Sequence, residues 1–414
     1  MLLSVLLALT VIMVTARIVG AVFAKLNQPA VIGEVVGGIL LGPSLLGRIA
    51  PDLQASLLRP DATPLLGVIA QLGVILYMFL VGLELDLHSL RSRARSTIAI
   101  SNAGIVVPLV LGIALAWTIF GEYAPPGVTL TSFALFLGVS MAITAFPVLA
   151  RILEDKGLQR TPLGVMALTC AAIDDVTAWC LLAFVVSVTQ ATPGGALLTV
   201  ALTAIYIVLM LTVGRWLMVR LVSWLDRSSR IGEQSLTIIL AAVLLSAIAT
   251  EFIGVHAIFG AFLLGTIIPH ESRIAGHVRE RIEDVVRVML LPAFFAFTGL
   301  RTEIGLLQSA HDWWICAVII AVATAGKFGG VTLAARATGS TARDSAALGI
   351  LMNTRGLVEL IVLNIGLDLG VLTPRLFTML VIMAVVTTMM TAPVLAALQK
   401  VEGRPTRDSS KKPR

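Results

Sequence analysis

The run Ala171-Ala172-Ile173-Asp174-Asp175-Val176-Thr177-Ala178-Trp179 sits in the middle of an apolar stretch that extends from Pro162 to Val188. The stretch is long enough to cross a bilayer as a helix, so two adjacent carboxylates lie near the depth at which charge is most expensive. One aspartate at the centre of a membrane helix costs roughly 2.5 to 3.5 kcal/mol on insertion scales, and ionisable residues placed there are functional by default. A side-by-side pair calls for a partner, a proton or an ion.

The rest of the chain supports reading the stretch as a membrane span. Of 414 residues, 57% are hydrophobic and 13% charged, with a mean hydropathy of +0.97. This is an all-α polytopic membrane composition rather than that of soluble domains. The net charge of +6 does not point to nucleic acid, because the basic residues fall in short loops between apolar segments and form no single patch. Cys170, Cys180 and Cys316 lie inside apolar segments without metal-ligand spacing, so neither a disulfide framework nor a structural metal is indicated. No cofactor is expected.

Polar and Pro/Gly breaks divide the chain into thirteen apolar segments between residues 2 and 398, followed by a short basic tail over 399–414. The first segment has no basic n-region and is interrupted by Arg17, which argues for a span over a cleaved signal peptide. Loops after odd-numbered segments carry most of the cations, among them Lys25, Arg91, Arg93, Arg95, Arg151, Lys156, Arg160 and Arg227. The opposite side has only Arg48, Arg59, Arg301 and Arg375. The positive-inside bias then places the N-terminus outside and the C-terminus inside, with an inner (cytoplasmic) membrane as the expected location.

Two distant stretches resemble one another. Gly37-Gly38-Ile39-Leu40-Leu41-Gly42 in the second segment parallels Gly260-Ala261-Phe262-Leu263-Leu264-Gly265 in the ninth, and Gly82-Leu83-Glu84 in the third parallels Gly299-Leu300-Arg301 in the tenth. Order and spacing suggest a duplicated six-helix unit: repeat one over 1–189, a linker helix over 194–224 and repeat two over 233–398. An odd connector inverts the second copy. Transporters of that architecture place their site at the midplane, where corresponding helices are interrupted. Segments five and twelve should correspond, and both contain breaks, at Thr144-Ala145-Phe146-Pro147 and Asn353-Thr354-Arg355-Gly356.

Pro147 frees at least one backbone carbonyl and disfavours helix just before it, and Ser140 or Thr144 could satisfy a simple kink there. A matching break in segment twelve makes half-helix ends near the dicarboxylate the better explanation. Asp174 and Asp175 project about 100° apart, so both can border one cavity. A carboxylate there can hold either a proton or a hard alkali cation, and that competition is all an exchanger needs. Lys327, within Thr324-Ala325-Gly326-Lys327-Phe328-Gly329-Gly330, is too deep to snorkel and needs a carboxylate such as Asp174. Arg355 and Glu359 are four apart and can pair on one helix face, in support of the break. Glu34, Glu84 and Glu251 read as interfacial or scaffold residues. His88, His270, His277 and His311 lie in loops or at helix ends, and no feature selects one as a pH sensor. There is no G-x-x-x-x-G-K-[ST] loop, so the chain is read as no enzyme, and transport would be driven by ion gradients.

At this point the motifs QPAVIGE (28–34), GGILLGPS (37–44), FLVGLELD (79–86), ITAFPVLARIL (143–153), AIDDV (172–176), FFAFTGL (294–300) and NTRGLVEL (353–360) resemble, in that order, monovalent cation/proton antiporters of the Kef-type and NapA-like branch. The resemblance implies a homodimer of 13-helix protomers in the bilayer, with crossed discontinuous helices and an elevator motion of a core formed by segments four to six and eleven to thirteen. It implies Asp175 as ion and proton carrier, Asp174 as the neighbour that pairs with Lys327, and Thr144 in the crossing. The expected partners are Na⁺ or K⁺ and H⁺, in the service of pH homeostasis. Potassium-efflux members commonly have Gln or Asn before the essential Asp and a C-terminal nucleotide-binding domain. Asp174 and the short basic tail depart from that pattern, and the Asp-Asp-Lys set leans towards sodium. Two other readings stand beside antiport: an ion-coupled symporter of an anion or organic solute, which would need a larger cavity with basic or hydrogen-bonding walls, and a channel-like or sensing protein.

Overall fold

The computed structural model describes residues 2–59, 62–84, 94–190, 195–227, 232–254 and 256–400. Arg91, Arg93, His88 and the basic tail from 401 onward lie outside the described residues. Those described contain helices and no strand.

α1 (Leu2–Lys25) and α2 (Ala30–Leu41) are followed by two short helices, α3 (Leu46–Ile49) and α4 (Pro51–Leu57), then by α5 (Thr63–Glu84) and α6 (Ala94–Tyr123). Next come the short pair α7 (Leu130–Ala142) and α8 (Phe146–Asp155), and α9 (Pro162–Gln190). α10 (Gly195–Leu209) joins α11 (Arg215–Arg227) through a π-helical turn at Met210–Gly214. α12 (Glu233–Ile253) and α13 (Ala257–Ile267) precede α14 (Arg273–Val285), which continues through a second π turn at Val286–Leu290 into α15 (Leu291–Leu300). α16 (Ala310–Ala337), α17 (Ala342–Met352), α18 (Leu357–Asp368) and α19 (Pro374–Lys400) complete the order.

Local chemistry sets several of these boundaries. Thr129 and Thr341 cap α7 and α17 by accepting from the Ser132 and Asp344 N–H groups. Ser309 and Asp312 form a reciprocal capping box on α16. Gly254 ends α12 in the left-handed region at φ 91°, where a side chain would be strained.

Ten helices among the described residues are long and apolar enough to cross a membrane, or eleven if the α17–α18 pair, bent by 43°, counts as one span. Leu130–Ala142 and Ala257–Ile267 are shorter apolar helices. The thirteen segments read from sequence are therefore helical without all being full-length spans, because breaks divide the fifth and twelfth and the ninth is brief. The second segment, 30–49, matches the span Ala30–Ile49, within which Gly42-Pro43 ends α2 at Leu41 before α3 resumes. One boundary differs. The basic connection before the tenth segment is helical from Arg273, because Ile274, Val278 and Ile282 recur at helical spacing and are buried.

The glycine motifs explain the closest packing. A Cβ on Gly38 of α2 would lie 2.6 Å from Ala296 Cα of α15, and one on Gly299 of α15 would lie 2.4 Å from the Gly38 carbonyl carbon. In the same way, a Cβ on Gly82 of α5 would meet Phe262 O of α13 at 2.2 Å, and one on Gly265 of α13 would meet Phe79 O at 2.3 Å. Each motif of the first half thus packs against the other motif of the second half. Backbones approach this closely in membranes only where small residues allow it.

Gly265→Val should therefore destabilise the protein by about 1–3 kcal/mol or more, as overpacking does. Gly276→Ala, in open space on α14, should be neutral or gain up to about 1 kcal/mol. Thermal unfolding in detergent compares the two, and equal melting temperatures for Gly265→Val and the parent would remove the close contact from the account of stability.

Candidate ion-binding site

α7 ends at Ala142, and Ile143 and Ala145 are extended before α8 begins at Phe146, with Pro147 in its first turn. α17 ends at Met352 and α18 begins at Leu357, with Asn353 to Gly356 between them. The two interruptions meet. The Ala145 N–H donates to Thr354 O at 3.0 Å, so one break supplies a partner for a backbone group freed by the other. The Thr144 hydroxyl lies 3.0 Å from Met352 O and 2.9 Å from Asp174 Oδ2, and its single proton serves one acceptor at a time. A Cβ on Gly356 would fall 2.6 Å from Val148 Cγ2, which is why the crossing chain carries a glycine there.

Two cations cover the carbonyl end of α7. Arg355 donates from Nη1 to Ser140 O at 2.8 Å and from Nη2 to Met141 O at 2.6 Å, while Lys327 Nζ donates to Ala142 O at 2.5 Å. These are carbonyls that an interrupted helix leaves without partners, at the negative end of its dipole. Arg355 also pairs with Glu359 at 2.5 Å, and both side chains are fully buried. Thr388 on α19 holds the Arg355 backbone from both sides, accepting from its N–H at 2.9 Å and donating to its O at 2.7 Å. Ser140 has a different place from the one its sequence position suggested: its hydroxyl donates to Leu137 O inside α7, and its carbonyl, not its side chain, serves the break.

The two aspartates, adjacent on α9 and both fully buried, have opposite surroundings. Asp174 is saturated: Ser101 donates to Oδ1 at 2.5 Å, and Lys327 Nζ lies 2.8 Å from Oδ2, beside the Thr144 hydroxyl. Neither carboxylate oxygen of Asp175 has a hydrogen-bond partner among the described residues. Asp174, Lys327 and the Phe146 N–H at the start of α8 all act on its charge. Asn353 Oδ1 and Nδ2, Arg355 Nε and Glu359 Oε1 are also buried without hydrogen-bond partners among the described residues. The structure thus brings Thr144, Asp174, Asp175, Lys327, Asn353, Thr354, Arg355 and Glu359 into one buried region. Ser101 and Thr388 were missed in the sequence; a lone Ser or Thr in an apolar helix carries no signal until its neighbour across the bundle is known.

Comparison with known proteins now has a geometry to refer to. The family described as "Sodium/hydrogen exchanger, transmembrane" matches residues 11–398. The chain belongs to that family, whose members are transporters. It is 45% identical over 399 residues to the Na(+)/H(+) antiporter NhaS4 of Synechocystis, covering 96% of this chain and 97% of that protein. It is 39% identical to cation/H(+) antiporter 17 of Arabidopsis thaliana, covering 95% of this chain and 48% of the relative. Identity is 34% to K(+)/H(+) antiporter 1 of Saccharomyces cerevisiae, covering 92% of this chain and 45% of the relative. The chain therefore spans about half the length of the plant and yeast relatives. In fold it is similar to the sodium proton antiporter MjNhaP1 of Methanocaldococcus jannaschii, with a TM-score of 0.65 over 97% of this chain at 13% identity. Like its relatives' names, the apolar helices describe an integral membrane protein.

The Arg355–Glu359 pair sets an expectation for stability. Arg355→Met leaves a buried carboxylate and two carbonyls unserved and should cost about 3–5 kcal/mol, as breaking a buried ion pair does. Arg355→Met combined with Glu359→Leu should recover part of that, not all, since the Ser140 and Met141 carbonyls stay unserved. Chemical denaturation of the single and double variants in detergent measures the difference. A double variant no better than the single one would mean that Glu359 contributes nothing to the loss.

Proposed function

We propose that the protein is a secondary antiporter that exchanges a monovalent cation for H⁺, with Na⁺ favoured over K⁺ as substrate. The observation that carries this reading is Asp175: a fully buried carboxylate with no hydrogen-bond partner among the described residues, next to an Asp174 that already has three. A buried charge is stable only when paired, so Asp175 must bind either a proton or a cation. The two cannot occupy it together, and that exclusion couples their movements. Asp174 and Lys327 act as a neighbouring pair, Thr144 supports the crossing, and Asn353 offers neutral oxygen to the cation. The relatives named as sodium and potassium antiporters support this reading, and none supports the solute symporter.

The finer architecture belongs to the same proposal. Thirteen helices form two inverted repeats over 1–189 and 233–398 about a linker helix, and the reciprocal contacts of α2 with α15 and α5 with α13 support that symmetry. Segments four to six and eleven to thirteen move as an elevator against the remaining scaffold in a homodimer, with the N-terminus outside and the C-terminus inside an inner membrane.

Asp175→Asn removes the titratable charge and keeps the size, so cation-dependent dissipation of a preset ΔpH in proteoliposomes should vanish while the variant still folds. In the parent, acidification should raise the apparent KM for Na⁺ in that assay, because a proton on Asp175 excludes the ion. A pH effect confined to the maximal rate, or a working Asp175→Asn, would sink the carrier assignment.

If a bound cation displaces Lys327 from Asp174, the lysine can give up a second proton, and two protons for one cation move one net charge per cycle. That charge is worth about 2.3 kcal/mol per 100 mV. Na⁺ exchange should then respond to a potential clamped with valinomycin and a potassium gradient, and Lys327→Gln should abolish transport or leave it electroneutral. Rates indifferent to voltage in the parent would make Lys327 a structural partner of a one-for-one exchange.

A further inference from the structure

A cavity of about 560 Å³ is lined by residues of α1, α2, α5, α8, the α14–α15 connection and the start of α18. At about 30 Å³ per water it has room for many waters or a hydrated ion. Its lining includes Phe146 and Leu357, the first residues of α8 and α18, and therefore reaches the crossing beside Asp175. Several carboxylates face it. Three are already paired: Glu84 with Arg279 at 3.4 Å, Glu154 with Arg151 at 3.5 Å and Glu283 with Arg287 at 2.8 Å. A fourth, Asp284, is exposed at the rim.

Glu34 differs from these. It is only 9% exposed, it lines the cavity from α2, and it makes no hydrogen bond or ion pair among the described residues. Gly20 of α1 leaves room beside it: a Cβ there would lie 3.6 Å from the Glu34 γ-carbon. Arg17 shares the wall and acts on Glu34 through space, without forming an ion pair with it. The helix that bears Glu34 is fixed to α15 by the Gly38–Gly299 approach, whereas α8, which also lines the cavity, leads from the crossing.

We propose that Glu34 is a cation-recruiting carboxylate: it holds a hydrated monovalent cation on the fixed wall of this cavity, ahead of its transfer to Asp175. This rests on the antiport reading and adds a second station to it. A buried carboxylate without a hydrogen-bond donor gains from a cation in the adjacent water-sized space, and the cation keeps most of its hydration there. Glu34 thus raises the local cation concentration at the mouth of the crossing without taking part in the proton-cation exclusion at Asp175. Its removal should weaken apparent affinity and spare turnover.

The test measures Na⁺-driven dissipation of a preset ΔpH in proteoliposomes over a range of Na⁺. Glu34→Gln should raise the apparent KM for Na⁺ at least fivefold with the maximal rate within twofold of the parent, and Glu34→Asp should keep KM within twofold. Adding an inert organic cation should raise KM in the parent and change it little in Glu34→Gln, a difference that a purely structural role would not produce. A Glu34→Gln with parental KM overturns the proposal, and so does a loss of maximal rate shared by both variants at unchanged KM. Asp175→Asn in the same assay separates the two readings. If it is silent while Glu34→Gln keeps parental KM, recruitment falls and antiport stands; if the parent exchanges neither Na⁺ nor K⁺, both fall.

Discussion

A helix interrupted inside a bilayer leaves backbone groups that no water can reach, each worth several kcal/mol if unsatisfied. The structure depends on how that is resolved. Two interruptions are placed together, so that Ala145 donates to Thr354 across the crossing. The carbonyl end of α7 is then covered by Arg355 and Lys327, two cations that would otherwise be unaffordable at this depth. The breaks justify the charges and the charges justify the breaks. Once both are present, a carboxylate next to them has a local field that can stabilise it, and Asp175 has exactly that position without being consumed by it.

Arg355 bonds both Glu359 and Thr388, besides two carbonyls of α7, and these contacts brace the crossing. Asp174 is saturated, by Ser101, Thr144 and Lys327, and its partners come from two other helices and the α7–α8 break. A saturated carboxylate is a poor receptor for a desolvated ion, since each new contact must displace an existing one. Asp175 has no such competition among the described residues. Chemically similar neighbours thus meet different surroundings: three side chains engage Asp174, and none among the described residues bonds Asp175. The cavity that reaches Phe146 extends this division outward, with its carboxylates paired except for Glu34 and the exposed Asp284.

Much of this was legible in the sequence, for identifiable reasons. An Asp-Asp pair, a Lys and an Arg inside otherwise apolar segments stand out because membrane depth makes each of them costly. Pro147 and the Asn353–Gly356 run stand out because they break a helical pattern, and the glycine motifs because they recur. Hydropathy alone overstated the regularity of the spans: Gly42-Pro43 divides the Ala30–Ile49 span between α2 and α3, and the amphipathic Arg273–Val285 stretch, too polar to be counted as a span, is helical through its buried Ile274, Val278 and Ile282. Glu34 read as an ordinary interfacial residue, because the sequence gives no sign of which face of α2 borders a cavity.

By itself, the sequence determined that the chain is a bundle of membrane helices, that two of its segments are broken, and that Asp174, Asp175, Lys327, Arg355 and Glu359 are buried charges in need of partners. Composition and periodicity are local properties, and burial in a membrane follows from them directly. The Lys327–Asp174 and Arg355–Glu359 pairs were legible too; only the tertiary structure decided which further groups meet them. Ser101 reaches Asp174 from 73 positions away and Arg355 reaches Ser140 O from 215. Such pairings depend on how helices stack, and helix stacking in a membrane is set by side-chain shape at contacts like Gly38 with Gly299, which no hydropathy pattern encodes. For the same reason composition and spacing alone do not tell two adjacent aspartates apart; the family resemblance implied the Asp174–Lys327 pair, and the fold shows the contacts.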